Sequence, residues 1–493
     1  SEGSWEALPP VKLPSPPLGF AWDPTGRCLA TRGARGLWLL PETVLHRQMC
    51  GEWALVQLSA QALQLEHIDG TLVPIEAEMR VCGTALQEGT LALWSDSLVK
   101  VYRFESQSEY DPNPETDRHP TRDRASDGRP TNMWRCRPPS LLAAFECRVR
   151  AATAWGEALY LCVGNKVQVT NLYGKTTQTL TLSEAEGAPI AVHATGDANG
   201  RYLAVGTDRG HIKAWDLSRR DPRQHTPGRR LLGGEASPRE ASARDTSRAR
   251  TTSVRITNDG RRISATMDVR CDGADCRQSN ASPASGASIR RSAASATPAW
   301  SPSTKLWVYL VELDAVEHFD FGARVPTAHF WDAVETRLVA VETHPAPGVP
   351  SPREGGGARE VVTLFSTPEH GLKMQHEFHP DHELEALISI QVPHFYFATT
   401  PQCNEDARAG KHQQRLCGHV MRDFVGMEGV DEDTRHALVE LSYQLTVGNV
   451  DEAYRAVAHI DSSCVWESMA RMCIKTRRLD VAQICLGKLG HAA

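Results

Sequence analysis

Four histidines fall within one short polar stretch of the chain, where metal binding is the first chemistry to consider. They are His370, His376, His379 and His382. Imidazole is a common ligand of zinc, and three of these histidines recur at a spacing of three residues, which on a helix places neighbours on one face. Gly371 and Pro380 interrupt any such helix. The stretch is therefore predicted to be a strand followed by a turn with surface histidines, and no metal ligand is assigned.

The cysteines give no stronger metal signal. The thirteen cysteines are scattered along the chain, mostly inside apolar runs, where thiols pack as small hydrophobic groups in a reducing compartment. Cys271 and Cys276 are the one close pair in a polar context. This pair lacks the two-residue spacing and the second pair of ligands that a zinc site needs, so free loop thiols are expected.

Charge and motifs argue against nucleic-acid binding and catalysis. The net charge of −6 is small for 493 residues, and no global field favours nucleic acid or an anionic membrane. The arginine-dense stretch 219–262 also contains acids and lacks the aromatic residues that stack on bases. A phosphate-binding glycine loop, a nucleophile elbow and a zinc-protease motif are absent from the sequence. The sequence predicts a non-enzymatic protein without cofactor, metal or nucleic acid.

The chain also lacks an obvious membrane or targeting segment. It has no run of about 18 apolar residues, and no charged and apolar leader follows Ser1. We therefore expect a soluble interior piece of a longer protein without a transmembrane segment.

Most of the chain reads as repeated groups of short strands. The clearest group, Val192–Leu217, has three apolar strands separated by Asn-Gly and Asp-Arg-Gly turns, and it ends on the dipeptide Trp215-Asp216. A Trp-Asp pair at a strand end is typical of a propeller blade. Similar groups bring the count to seven: 20–40, 84–104, 151–182, 254–321 with a long insertion, 328–378 and 384–400. The sequence predicts a mainly β protein with a seven-bladed WD-repeat-type β-propeller, in preference to a pair of β-sandwiches.

Five segments between the strand groups have a composition that cannot form a core. They are rich in Pro, Ser, Gly, Asp and Arg, and no Phe, Tyr or Trp occurs between Asp216 and Ala299. We expect long disordered insertions at about 107–132, 218–250, 270–299, 345–359 and 401–419. The propeller domain is predicted to occupy 1–421 with these insertions included.

The last part of the chain, 422–493, has a helical pattern. Small and apolar residues recur there at the spacing of tetratricopeptide repeats, whose paired helices stack into a solenoid. The predicted repeat positions are Trp466, Met469, Ala470, Cys473, Ala482 and Leu486. The segment therefore predicts the start of an α-helical, tetratricopeptide-like solenoid that is truncated soon after it begins.

Several motifs resemble the family of the one-hundred-and-forty-kilodalton subunits of intraflagellar transport complex A. The resemblance is densest at 422–435, 448–457 and 465–492, and it continues upstream at 205–221, 328–342 and 368–378. In that family two propellers precede a long helical solenoid, and this sequence is similar to the second propeller and the first helical repeats. The insertions, such as 218–250, are departures that the resemblance does not explain.

The resemblance implies a non-catalytic structural subunit of the retrograde ciliary transport train. It implies roles in cilium assembly and in the entry of membrane-protein cargo, and localisation to the cilium or flagellum, the basal body and the cytoplasm. The implied partners are the other complex A subunits, transport complex B, dynein-linked trains and cargo adaptors. Two alternatives remain open: a vesicle-coat-like propeller and solenoid outside the cilium, and a propeller metalloenzyme that uses the histidines.

Overall fold

The computed structural model contains many short strands followed by a helical segment. It describes residues 16–22, 28–34, 36–41, 44–104, 138–197, 200–219, 222–231, 249–270, 300–346, 359–399, 415–458, 460, 463–475 and 479–490. The predicted insertion at 107–132 lies wholly outside these residues. The greater parts of the insertions predicted at 218–250, 270–299, 345–359 and 401–419 lie outside them too, as do Cys271 and Cys276.

Seven antiparallel sheets follow one another along the described chain from residue 47. The first four sheets are β4 (Arg47–Cys50), β5 (Trp53–Gln57), β6 (Ala62–His67) and β7 (Leu72–Glu76); β8 (Gly83–Gln87), β9 (Thr90–Trp94), β10 (Leu98–Arg103) and β11 (Ser140–Glu146); β12 (Ala152–Trp155), β13 (Ala158–Val163), β14 (Lys166–Asn171) and β15 (Thr176–Thr181); and β16 (Pro189–Gly196), β17 (Arg201–Thr207), β18 (His211–Asp216) and β19 (Arg223–Arg230).

The remaining three sheets complete this series. They are β20 (Ala249–Ile256), β21 (Arg262–Arg270), β22 (Trp300–Pro302), β23 (Lys305–Leu310) and β24 (Ala315–Asp320); β25 (Arg324–Trp331), β26 (Leu338–Pro345), β27 (Glu360–Thr367) and β28 (Gly371–Phe378); and β29 (Leu384–Gln391), β30 (His394–Thr399) and β31 (Leu416–Val420).

The seven sheets form a closed ring. The first strand of each sheet contacts the first strand of the next, from β4 through β8, β12, β16, β20 and β25 to β29, and β29 contacts β4 again. Each sheet is thus a blade whose faces are covered by its two neighbours, which is the arrangement of a β-propeller. The seven first strands surround a central channel.

Burial explains why the second strand of each blade is the most apolar. In β17 the side chains of Leu203, Ala204 and Val205 are fully buried, because both faces of this strand meet neighbouring blades. The outermost strands face solvent along one edge, and β15 has the polar sequence TTQTLT. The three strands predicted within Val192–Leu217 lie inside β16, β17 and β18.

The strand group predicted as a blade at 20–40 is not part of the ring. It forms a separate sheet of β1 (Pro17–Trp22), β2 (Cys28–Gly33) and β3 (Gly36–Pro41), which pairs with no other sheet among the described residues. The first blade of the ring is instead the sheet formed by residues 47–76, which the strand pattern did not predict. Its one clear turn signal is Asp69-Gly70, where Gly70 takes a positive φ of 90° between β6 and β7.

Two predicted insertions contain strands. The segment 218–250 includes β19, whose residue Arg223 pairs with Asp216 of β18. The segment 401–419 overlaps β31, where Leu416 pairs with Ala398. The prediction was wrong at these places because an outermost strand needs only main-chain hydrogen bonds along one edge. Few apolar residues are required where the other edge faces solvent.

Four α-helices follow the propeller in the described chain: α1 (Glu432–Val447), α2 (Val450–Val457), α3 (Ser463–Lys475) and α4 (Leu479–Lys488). A 3₁₀ turn at Arg422–Phe424 leads from β31 towards α1. The side chain of Asp431 caps α1 by accepting the amide of Thr434. Gly448 ends α1 with a left-handed φ of 85°, and Asn449 then caps α2.

Gly83 provides a test of the blade packing. A methyl group at this position would overlap the indole of Trp94, its cross-strand neighbour. Gly83→Ala is therefore expected to lower the free energy of unfolding by about 1–3 kcal/mol, the usual cost of overpacking. Denaturant unfolding followed by tryptophan fluorescence measures the change.

The matched control is Gly429→Ala, because no atom of the described residues lies within 4 Å of a methyl group at that site. Its effect is expected to stay within about 0.5 kcal/mol. Equal unfolding midpoints for the two variants would contradict the packing of Trp94 against β8.

Candidate functional site

The predicted histidine stretch lies on an outer strand and not in the channel. His370 directly precedes β28, and His376 lies within it. This strand is the fourth and outermost of its blade. His376 stacks on Phe378, and burial lowers the pKa of His376. His379 lies 4.0 Å from Glu360, and His382 is exposed. Within the described residues no group of three or more His, Cys, Asp or Glu side chains is arranged to hold a metal ion.

His370 instead helps to join the propeller to the helices. Its Nδ1 lies 2.9 Å from the hydroxyl of Tyr443 in α1, and the same hydroxyl is 3.2 Å from the hydroxyl of Thr367. The Tyr443 ring packs edge-on against Phe365 of β27 at 5.3 Å. Tyr443 is buried. Both its aromatic ring and its hydroxyl therefore hold α1 to this blade.

Arg337 forms a second link between the blade and α1. Its guanidinium donates to both carboxylate oxygens of Glu335, at 2.7 and 2.8 Å, and to Glu440 of α1 at 3.0 Å. The guanidinium also lies 4.8 Å from the centre of the Tyr443 ring. The hydrogen bonds with Glu335 raise the pKa of Arg337 above its usual value. A bidentate, charge-assisted contact of this kind fixes geometry as well as contributing energy.

A third link joins β28, the 3₁₀ turn and α1. The Gln375 side chain donates to Asp423 at 2.7 Å and to the Ser442 hydroxyl at 3.0 Å, and Ser442 donates to Asp423 at 2.6 Å. All three side chains are thus mutually hydrogen-bonded. Together with Arg337 and Tyr443 they form the propeller–helix junction.

A cleft of about 290 Å³ opens beside this junction. Its lining combines apolar side chains, mostly from the helices, with arginine, glutamine and aspartate side chains. The lining residues include Met374, Gln375, Arg422, Asp423, Met427, Leu438, Leu441, Ser442, Leu445, Val465, Met469 and Arg471. The cleft therefore offers a mixed apolar and polar surface at the place where blade and helices meet.

The predicted repeat positions lie together in the helical core. Trp466 is 2% exposed, and its indole N–H donates to the carbonyl of Ile460 at 2.9 Å. Met469, Ala470, Cys473 and Ala482 are buried in the same cluster, and Leu486 is partly buried against it. This cluster also includes side chains of the last blade, such as Phe395 and Phe397. The helices and the propeller thus share one core.

Cys473 and Cys485 face each other across α3 and α4. Both are fully buried, and neither forms a disulfide. Burial, followed by the neighbouring Cys473, raises the pKa of the Cys485 thiol to about 11. A thiol of this kind is protonated and packs as an apolar group, which fits the small positions of a helical repeat.

Trp215 and Asp216 lie far from the helical positions in the fold and have local roles. Trp215 is 5% exposed and packs between two blades, with the ammonium of Lys213 5.6 Å from its ring centre. Asp216 accepts the amide of Ser218 at 2.8 Å and so closes the turn after β18. These residues support one blade, and the structure does not join them to the junction.

Sequence reasoning missed the residues that build the junction. Arg337 and Glu440 are 103 positions apart, and Gln375 and Ser442 are 67 apart. Each lies in a stretch whose pattern predicts only its local strand or helix. The one available signal was the large polar-tipped aromatic Tyr443 on the apolar side of α1, a residue type that seeks a hydrogen-bond partner when buried.

Comparison with known families gives two matches. A family model described as the IFT140 second beta-propeller matches residues 51–275 and 322–400, which is more than half of the chain. A second model, which describes the TPR domain of the IFT140 and IFT172 proteins, matches residues 448–493. These matches confirm the predicted propeller followed by the start of a helical-repeat segment, and they confirm the resemblance given by the sequence motifs. Neither match indicates a catalytic family.

Three solved structures are similar to this chain at very low sequence identity. Hsv2 of Kluyvelomyces marxianus is 9% identical, and the alignment covers 74% of this chain and 99% of Hsv2 with a TM-score of 0.39. A chain in the structure of the mitotic checkpoint complex is 11% identical, with 80% and 93% covered and a TM-score of 0.42. Hydrazine synthase of Kuenenia stuttgartiensis is 9% identical, with 76% and 95% covered and a TM-score of 0.41. We draw no functional argument from these likenesses.

Within the described ranges, no helix has both the length and the apolar character needed to span a membrane.

Proposed function

Because this chain belongs to the IFT140 family of scaffold subunits of intraflagellar transport complex A, we propose that it acts in retrograde ciliary transport, in cilium assembly and in the entry of membrane-protein cargo into the cilium. The observation that carries the proposal is the pair of family matches, which follow each other along the chain in the order propeller, then helices. Such domains act through extended surfaces, and function must be sought in the partners that those surfaces bind.

The propeller–helix junction supports this role. Arg337, Tyr443 and the Gln375–Asp423–Ser442 contacts join the last full blade to α1. Polar links beside a shared apolar core resist rotation of the helices against the blade. A scaffold subunit needs such a fixed angle, because partners bound to the two parts are then held at a constant separation.

The family membership implies interaction with other intraflagellar transport components and a ciliary location. We further propose that the partners are the other complex A subunits, complex B and dynein-linked trains, together with adaptors of membrane-protein cargo. Under this proposal the protein is also present at the basal body and in the cytoplasm, where trains are assembled and to which they return.

The proposal is tested in ciliated cells that lack the native protein. The intact protein is returned either as the wild type or as Trp466→Ala, whose helical core is disrupted. With the wild type, train components are expected to be distributed along the cilium. With Trp466→Ala, they are expected to accumulate at the ciliary tip because the return machinery is incomplete, as measured by fluorescence intensity at the tip.

The matched control is Glu467→Ala, which alters the adjacent exposed residue of the same helix and should behave as the wild type. Normal return of train components in cells without any copy of the protein would contradict the retrograde role. Localisation to Golgi membranes without a ciliary signal would favour the vesicle-coat alternative.

A further inference from the structure

The central channel of the propeller contains a cavity of about 610 Å³. Each of the seven inner strands, β4, β8, β12, β16, β20, β25 and β29, contributes lining residues. Cavities that hold small ligands in proteins usually measure about 300–1,000 Å³. The channel is therefore large enough for a small molecule, and the question is which chemistry its wall would recognise.

Arg255 of β20 is a half-buried cation in this wall. Its guanidinium lies 4.3 Å from the centre of the Phe330 ring, and no carboxylate of the described residues forms an ion pair with it. Two other arginines of the propeller are paired: Arg262 with Asp259 and Arg324 with Glu360. Burial lowers the pKa of Arg255 to about 10, because a desolvated cation lacks a compensating anion.

Two neutral histidines accompany Arg255. Nδ1 of His193 accepts the amide N–H of Ile256 at 3.3 Å, so the proton of its neutral ring is on Nε2, which is a donor. His329 is 1% exposed and is not among the described residues that line the cavity. Burial first, and then the charge of Arg255, lower both pKa values, that of His329 to about 3. His193 thus offers one N–H to the cavity at neutral pH.

The channel wall supplies no free anion to this cluster. Asp332 is the one carboxylate among the described residues that line the cavity. It is buried and already accepts the amides of Val334, Glu335 and Val392 at 2.7–2.9 Å. The exposed Arg150 lines the same cavity, which adds positive charge. The cavity is therefore electrostatically suited to a negatively charged ligand.

We propose that the central channel binds the phosphate group of a small molecule beside Arg255. The guanidinium presents a planar fork of donors that fits two oxygens of a phosphate. Nε2 of His193 supplies a further donor from the neighbouring strand β16. A tetrahedral group with more than one negative charge matches such a set of donors better than a planar, singly charged carboxylate.

The experiment measures binding to the purified intact protein by isothermal titration calorimetry at constant ionic strength. Inorganic phosphate is the probe, and acetate is the carboxylate comparison. Saturable binding of phosphate is expected, at least tenfold tighter than that of acetate. Arg255→Ala is expected to weaken phosphate binding at least tenfold, and Arg255→Lys, which keeps the charge but loses the fork, is expected to weaken it less. Arg148→Ala, at an exposed site, should bind as the wild type does.

Any of three results would overturn the proposal: no saturable phosphate binding, equal affinity for acetate, or unchanged binding by Arg255→Ala. Circular dichroism shows whether each variant is folded. If Arg255→Ala does not fold, the imidazole NMR signals of His193 in the wild-type protein provide the test. The proposal predicts that phosphate shifts these signals in a saturable manner. No shift at saturating phosphate would contradict it.

Discussion

Replacing Trp466 with alanine is expected to lower the free energy of unfolding of the helical segment by about 3–5 kcal/mol, the usual cost of truncating a buried tryptophan. The side chain is 2% exposed in the core shared by the helices and the last blade. Its removal also leaves the carbonyl of Ile460 without the indole donor and takes away the ring that packs 5.8 Å from Tyr454. Denaturant unfolding followed by circular dichroism at the helical band measures the loss.

Glu467→Ala is the matched control for this variant. Glu467 lies next to Trp466 in α3, and its contact with Arg471 is an exposed pair one helical turn apart. Such pairs contribute only about 0.3–0.5 kcal/mol. If Trp466→Ala unfolded at the same denaturant concentration as Glu467→Ala, the register assigned to the helical repeat would be incorrect.

The second large effect is expected at the junction. Arg337→Ala removes the donors for Glu335 and Glu440 and the cation over Tyr443. A hydrogen bond to a charged group typically contributes about 1.5–3 kcal/mol, so a loss in this range is expected. The Arg337–Glu440 pair is only partly exposed, at 27% and 36%, so solvent screens it less than a surface pair.

A double-mutant cycle between Arg337 and Glu440 isolates this contact, with unfolding free energies measured for both single variants and the double variant. The control cycle uses Arg471 and Glu467, which are both 64% exposed. A larger coupling energy is expected for the junction pair. Coupling no greater than in the control cycle would mean that the contact does not hold α1 to the blade.

The strand pattern was enough to predict the propeller because most blades repeat short apolar strands separated by tight turns. β17 and β18 carry apolar runs and end on Trp215-Asp216, which is a local signature. The blade at 47–76 lacks such an ending, and the separate sheet at 17–41 has apolar strands with turns of the usual length. Strand pattern alone therefore does not distinguish a strand group inside the ring from one outside it.

Composition failed where an outer strand is polar. β19 has the sequence RQHTPGRR, which resembles a loop because it contains no large apolar side chain. Its position is determined by main-chain pairing with β18 and by the buried Thr226, whose hydroxyl accepts the amide of Ala214 at 3.0 Å. The helical repeat was more predictable, since Trp466, Met469 and Cys473 repeat at the spacing that burial on one helix face requires.

The junction could not be predicted because its contacts join distant parts of the chain. Arg337, Gln375 and Tyr443 each occur in segments whose local pattern is complete without them. Their roles arise only when α1 packs on β28. The grouping of His193, Arg255 and His329 could not be predicted for the same reason. These residues belong to three different blades, which meet only when the ring closes.

The most direct test of the scaffold role compares proteins that copurify with the tagged intact protein from ciliated cells, quantified by mass spectrometry. The wild type and Arg471→Ala, which alters an exposed pair, are expected to recover the other components of intraflagellar transport complex A in equal amounts. Arg337→Ala is expected to be present at a normal level but to recover them at a reduced ratio, because its helices are no longer held at a fixed angle to the propeller. Recovery of no transport components by the wild type, or undiminished recovery by Arg337→Ala, would contradict a scaffold built on this junction.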